Sequence, residues 1–341
     1  MKKVAVVILN YNGKSFLERF LPKVIASCDP AWVEVVVADN ASTDGSVAFM
    51  RERFPSTRLI ENGSNGGFAT GYNLALRQVE AQYYVLLNSD IEVAPGWIEP
   101  VVGMMDADPQ IAACQPKVRS FGRPDEFEYA GAAGGFIDKY GYPFCRGRVF
   151  QHLEVDKGQY DTPLEVFWAT GACMFVRAGL YHQLGGLDDS FFAHMEEIDL
   201  CWRLKNEGYK VFCCPQSVVY HIGGGTLPKN SPRKTYLNFR NNLSLLVKNL
   251  PEQRLVRTIL YRILLDWVAA FKFLAEGCPN DFRMVFKAHW DFYKRLASLR
   301  EKRKTADHRA VSCVYQRNIV FDHIVRKKVR FSDLDPADFS T

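Results

Sequence analysis

No stretch of this 341-residue chain holds the roughly 18 uncharged apolar residues that a membrane-spanning helix requires. No C-x-x-C pair occurs among its nine cysteines, and their number is odd, so reduced thiols are expected rather than a disulfide scaffold. Internal repeats and low-complexity tracts are lacking. Net charge is small as well: 43 Lys and Arg stand against 38 Asp and Glu. With 48% apolar residues, that balance excludes a disordered chain. A secretory leader is not expected either, because Met1-Lys2-Lys3 runs straight into a strand-length apolar run, residues 4–9, and then polar Asn10. These absences imply a cytoplasmic protein with one large domain, or a domain with an appendage.

What charge there is lies unevenly. Residues 1–228 carry 20 Lys and Arg against 27 Asp and Glu, whereas residues 229–330 carry 23 against 8. An acidic body therefore precedes a basic tail region, which suits an anionic partner such as membrane phosphate. Nucleic acid is not expected, because no binding motif accompanies the charge.

Periodicity gives an α/β fold. Residues 4–9, 33–38, 83–87 and 111–115 read as short buried strands, and residues 14–27, 46–54 and 69–81 as amphipathic helices between them. Such alternation implies a mainly parallel, Rossmann-like sheet covered on both faces. Residues 118–165 read as a long irregular excursion, followed by strands near 165–168, 172–176 and 210–213 with a helix over 196–206. From Pro232 the chain reads as helical and basic.

Polar clusters sit where the strands end, the place at which open α/β sheets bind ligands. They are Asn10-Tyr11-Asn12-Gly13, then Asp39-Asn40 leading to residue 46, then the glycine-rich run 61–73, then Asn88-Ser89-Asp90. Glycines that open a helix permit close approach of a phosphate. A strand-end carboxylate such as Asp90 can hold a hard divalent cation against it. Asp44 reads first as a helix cap. Glu196, Glu197 and Asp199 cannot share one helical face, so their jobs must differ. His221 ends a further apolar strand.

Taken in order, N-Y-N-G, D-N-A-S-T-D-G-S, N-G-G-F-A-x-G-x-N, L-L-N-S-D, residues 185–203 and V-Y-H resemble a family 2 glycosyltransferase of the GT-A fold, over about residues 1–225. The resemblance implies a catalytic domain 1–228, with a nucleotide-sugar half (1–117) and an acceptor half (118–228), followed by a helical extension 229–341. It implies donor binding by Asn10, Tyr11, Asp39, Asn40, Asn65, Gly67, Phe68, Asn73, Asn88, Ser89 and Asp90. It makes Asp90 and His221 the ligands of Mg²⁺ or Mn²⁺. Asn88 stands where the family's D-x-D motif opens with Asp, as in rhamnosyltransferase-like relatives, and removes one charge. Glu197 is expected as catalytic base, with Glu196 second and Asp199 structural or acceptor-positioning.

One base plus one leaving-group metal implies single displacement with inversion. The donor is expected to be a dTDP- or UDP-sugar, and the acceptor a glycan or lipid-linked molecule of a bacterial-type surface polysaccharide. On the acceptor side, Trp168, Tyr140, Tyr142 and Phe144 offer flat faces, and Arg146 and Arg148 charges for a phosphate; ordinary packing competes for each. A stripe formed by Ile259, Leu260, Ile263, Leu264, Trp267, Val268, Phe271 and Leu274, flanked by Arg254, Arg257, Arg262 and Lys272, is either core-facing or an interfacial membrane helix. It could place the enzyme peripherally on the inner face of the plasma membrane, and the same helices could support an oligomer. Two other readings stay open: a sugar nucleotidyltransferase, disfavoured by the thin phosphate loop at residues 10–14, and a non-catalytic sugar-nucleotide binder.

Overall fold

The computed structural model describes residues 1–223, 231–304 and 308–341. The first strand, β1 (Lys2–Asn10), has Val4 to Val7 fully buried, as a central parallel strand covered on both faces must. Beside it run β2 (Val33–Asp39), β3 (Arg58–Glu61) and β4 (Ala81–Asn88). The short β5 (Ile91–Val93) and the long β6 (Ile111–Ser120) follow. A second sheet takes β7 (Gly135–Asp138), β8 (Pro143–Cys145), β9 (Arg148–Val149) and β10 (His152–Leu153). The main sheet resumes with β11 (Leu164–Val166), β12 (Cys173–Arg177) and β13 (Lys210–His221), and β14 (Val314–Tyr315) returns to the second. Strand order in the main sheet is β11-β13-β6-β12-β4-β1-β2-β3, with β5 against β13. The pairs β1–β2, β1–β4, β2–β3 and β6–β13 are parallel, whereas β5, β11 and β12 run against their neighbours.

Helices cover the sheet: α1 (Lys14–Ala26), α2 (Ser46–Arg53), α3 (Gly67–Leu76), α4 (Glu99–Ala107), α5 (Ala178–Gln183) and α6 (Glu196–Asn206). α1 buries Leu17, Phe20, Leu21 and Val24, spaced as one helical face. α3 ends at Leu76, short of the expected 81, because Ala81 already pairs with Lys2 as the first residue of β4.

Two regions differ from the sequence reading. Residues 118–165 hold the second sheet rather than irregular chain, and β14 completes it by pairing parallel with β7. The expected aromatic platform is spent inside this region. Phe144 packs with Phe331, Phe339 and Tyr315, while Tyr140 and Tyr142 lie against Tyr261 and Arg262.

The expected boundary at 228/229 lies outside the described residues. Beyond it come α7 (Pro232–Asn249), α8 (Glu252–Ala275), α9 (Pro279–Lys304) and the short α10 (Ile319–Ile324), so the extension is not wholly helical. α7 places Leu245 and Leu246 in the same core as sheet residues Val166 and Val211. α8 is amphipathic in an inverted sense. Its buried face carries Thr258, Arg262, Asp266 and Ala270. Arg262 donates to Tyr140 O (2.9 Å) and Asp266 (3.2 Å), and Asp266 meets His289 at 3.1 Å. Its outer face exposes Val256, Leu260, Leu264, Val268 and Phe271 by 59–67% each, with Leu274 beyond. The apolar stripe is thus divided: Ile259, Ile263 and Trp267 are half-buried, and the rest faces outward. No described helix is long and apolar enough to cross a membrane.

Candidate active site

Strand register brings the polar clusters to one edge. Asn10 pairs with Asp39, and Leu9 with Asn88, at the carboxyl ends of β1, β2 and β4. β12 runs antiparallel to β4 with Cys173 opposite Leu87, so the loop before it reaches the same edge, as does the end of β13 at His221. Asp39 is buried; its carboxylate accepts from Asn10 Nδ2 (2.9 Å) and Ser42 N (2.8 Å). Asp44 accepts the N–H groups of Lys14 (2.8 Å) and Ser46 (3.0 Å), the first residues of α1 and α2, and so ties the two helix starts together, while the N-cap positions themselves are Gly13 and Gly45. Tyr11, Asn65, Phe68, Asn88 and Ser89 keep their side chains at least partly open here.

Asn40 and Asn73, both expected at the donor, are buried and hold the scaffold instead. Asn40 donates to Gly67 O (2.9 Å) and accepts from Asn62 (2.9 Å). Asn73 donates to Leu187 O and Asp189 (both 2.7 Å) and accepts from Tyr181 (2.6 Å) and Leu187 N (3.0 Å). Gly67 adopts φ +85°, and a Cβ there would stand 2.5 Å from Phe192 O, so the turn opening α3 admits only glycine.

His221 Nε2 lies 3.2 Å from Asp90 Oδ1, across 131 residues of sequence. On its other side, His221 Nδ1 lies 3.2 Å from Glu128, a residue outside every sequence motif of the site. Burial alone would lower the imidazole's pKa; the charges of Glu128 and Asp90 outweigh it and push it up to about 10.

The acidic pair opens α6. Phe192, His194 and Met195 precede it with φ of 68°, 68° and 76°, an uncommon run for residues with side chains. Glu196 is buried, whereas Glu197 is partly open and faces the loop at Gly171, where a Cβ would stand 3.7 Å from its own. One carboxylate oxygen of each has no hydrogen-bond partner among the described residues. Burial raises the Glu197 carboxyl to about 7, and burial together with the charge of Glu197 holds Glu196 well above the usual carboxylate range. Glu197 therefore combines access with the basicity a proton acceptor needs near neutrality.

Asp199 differs. Burial would raise it, yet Lys248 and Arg203 hold it below the usual range. Its oxygens are taken by Arg203 (2.8 Å), Lys248 (2.8 Å) and Asn249 (2.9 Å), which leaves it structural rather than catalytic. The expected acceptor residues are likewise turned into the chain, although one nitrogen of each arginine has no hydrogen-bond partner among the described residues. Arg146 donates to Ala133 O (2.9 Å) and Thr162 O (3.3 Å), and Arg148 to Cys145 Sγ and Phe150 O (both 3.3 Å). Trp168 Nε1 donates to Phe136 O at 2.9 Å, its ring against Gly135. All three are buried.

Residues 5–184 match the glycosyl transferase family 2 profile, more than half of the chain. The chain belongs to this family. Among curated proteins, the transferase is 28% identical over 234 residues to the N-acetylglucosaminyl-diphospho-decaprenol L-rhamnosyltransferase of Mycobacterium tuberculosis, covering 63% of this chain and 75% of that one. It is 22% identical to the low-salt glycan biosynthesis hexosyltransferase Agl10 of Haloferax volcanii, covering 70% and 73%. Among solved structures it is similar to GalNAc-T7 with UDP, GalNAc and Mn²⁺ (TM-score 0.57, 17% identity, 87% of this chain and 56% of that one). It is also similar to the mannosyltransferase of Pyrobaculum calidifontis with GDP-Man and Mn²⁺ (TM-score 0.53, 19% identity, 89% and 84%). These likenesses establish the GT-A fold.

The chemistry of the transferase's donor atoms suits a divalent cation. Asp90 offers a carboxylate and His221, once its proton is released, an imidazole nitrogen, a pair that fits Mn²⁺ or Mg²⁺. No third His, Cys, Asp or Glu joins Asp90 and His221 in metal-holding geometry among the described residues. The residues fit a cation shared with a ligand rather than one held by protein alone.

Proposed function

We propose that this glycosyltransferase moves a sugar from a dTDP- or UDP-linked donor to a hydroxyl of a lipid-linked or glycan acceptor, with inversion at the anomeric carbon. The observation that carries the reading is Glu197: a partly open carboxylate with one oxygen lacking a partner among the described residues, raised to about 7 at the carboxyl edge of the sheet. Glu197 accepts the acceptor's proton as the hydroxyl attacks. Asp39, Asn10 and Tyr11 bind the nucleoside end, and Asn65, Phe68, Asn88 and Ser89 lie along the donor. Asp90 and His221 hold Mg²⁺ or Mn²⁺, which when bound stabilises the charge of the departing diphosphate. Likeness to a rhamnosyltransferase over most of its length supports a deoxyhexose donor.

The acceptor is brought to the site by attachment to an anionic membrane surface. Supporting this are the outward apolar ridge of α8, Phe286, Trp290 and Tyr293 exposed on α9, and exposed Arg257, Lys272, Lys287 and Lys294 on the same helices. The direct test of donor class is a thermal-shift panel of dTDP- and UDP-sugars with and without Mn²⁺. Metal-dependent stabilisation by one nucleotide series supports the reading; none from either series contradicts it.

A further inference from the structure

The strained loop before α6 is held from the extension. Asn241 of α7, fully buried, directs its amide nitrogen at three backbone carbonyls: Phe191 O (3.0 Å), Ala193 O (2.9 Å) and His194 O (2.8 Å). Its own amide oxygen is fixed by Arg240 Nε at 2.8 Å, and Arg240 Nη2 reaches Phe191 O at 2.8 Å. From α9, Arg295 donates to Ser190 O at 2.8 Å. On the opposite side Phe68 N donates to Phe192 O at 2.7 Å. Of the successive carbonyls of residues 191–194, that of Phe192 is thus taken by the nucleotide half and the other three by the extension. Positive φ at Phe192, His194 and Met195 is costly and persists only where surroundings over-determine it. These bonds are that determination, and Met195 is the residue from which α6 and its acidic pair start.

We infer that Asn241 is a positioning residue for Glu197, and that the extension is therefore a working part of the catalytic centre rather than only a tether. The hydrogen bonds of Asn241 go to the backbone before α6 and to Arg240, so it acts on Glu197 through the backbone that aims it. An amide suits this work because its two N–H groups spread over several carbonyls, whereas a carboxylate of the same shape repels them and a methyl leaves them unpaired in a dry interior. Since a misplacement on the order of 1 Å can cost about 10²-fold in rate, loss of the clamp is expected in kcat rather than in donor binding.

The inference rests on Glu197 as base. The test compares Asn241→Ala, Asn241→Asp and Asn241→Ser in the full chain, with Leu243→Ala as control; Leu243 is buried on the same helix in a cluster with Phe292 and Leu299. Expected are a fall of about 10²-fold in kcat for the Ala and Asp variants, a donor KM within a few-fold of wild type, and partial recovery with Ser, whose hydroxyl restores one donor. Should the Ala variant not fold, the Ser and Asp pair carries the same comparison. A kcat loss no greater than that of Leu243→Ala, or a loss confined to KM, overturns the inference. Retained turnover in Glu197→Gln would instead overturn the base assignment beneath it, so the two failures are distinguishable.

Discussion

Lys248 of α7 places its Nζ 2.8 Å from Asp199 Oδ1 of α6, with both side chains buried. The same ammonium lies 2.5 Å from Asp188 in the G-G-L-D-D turn. A cation from beyond the expected boundary thus bridges two acids beside Glu196 and Glu197, and Asp188, despite burial, is held far below the usual carboxylate range by Lys248 and Lys302.

Replacement of Lys248 by Met therefore removes the cation shared by two buried carboxylates and leaves Arg203 on Asp199 and Lys302 on Asp188. The expected cost is about 1–3 kcal/mol of stability at neutral pH, read from urea melts. The sign with pH comes from the depressed carboxyls. Their contribution is present above the unfolded value near pH ~4 and is lost as pH falls through the folded value. Wild type and variant should consequently converge in stability towards acid pH; a gap that widens there contradicts the assignment.

At the metal site, Asp90→Asn and His221→Ala should each abolish nucleotide-dependent Mn²⁺ binding measured by calorimetry. Glu128→Gln acts indirectly, by loosening His221, and should weaken Mn²⁺ by roughly 10–100-fold. Wild-type transfer that is indifferent to EDTA would remove the metal from the account.

The strand ends were legible in sequence because a parallel sheet buried on both faces writes continuous apolar runs, and the polar residues that close each run fall at the ligand edge. Asp90 and His221 could be paired only through the order of motifs, since nothing local joins residues 131 apart. Glu128 carried no signal: its role depends on β6 and β13 lying side by side. Arg146, Arg148 and Trp168 misled because their burial is tertiary, and partners such as Phe136 and Thr162 leave no local trace in sequence. Likewise the periodicity of α8 marked an apolar face but not that its buried side would be the polar stripe Thr258, Arg262 and Asp266.

The ridge on α8 leads to a flotation experiment. Liposomes rich in anionic lipid should carry the protein at low salt and release most of it at high salt, because each basic residue near the surface contributes about 1 kcal/mol, screened by ions. Replacing Leu260, Leu264 and Val268 with Ser should reduce flotation without lowering turnover on a soluble acceptor. No flotation at low salt, with self-association that the same substitutions abolish, would make the ridge a contact between copies of the chain.

Everything proposed for transfer turns on Glu197 accepting the acceptor's proton. The most direct measurement is single-turnover transfer by Glu197→Gln beside donor affinity by calorimetry, with the wild-type pH profile of kcat/KM. The amide keeps the shape but cannot take a proton, so transfer should fall by about 10²–10⁴-fold while donor affinity stays within a few-fold. Wild-type kcat/KM should drop as pH falls through about 7, where the carboxylate becomes protonated. Transfer by Glu197→Gln within a few-fold of wild type, or a profile flat through that range, would contradict the account.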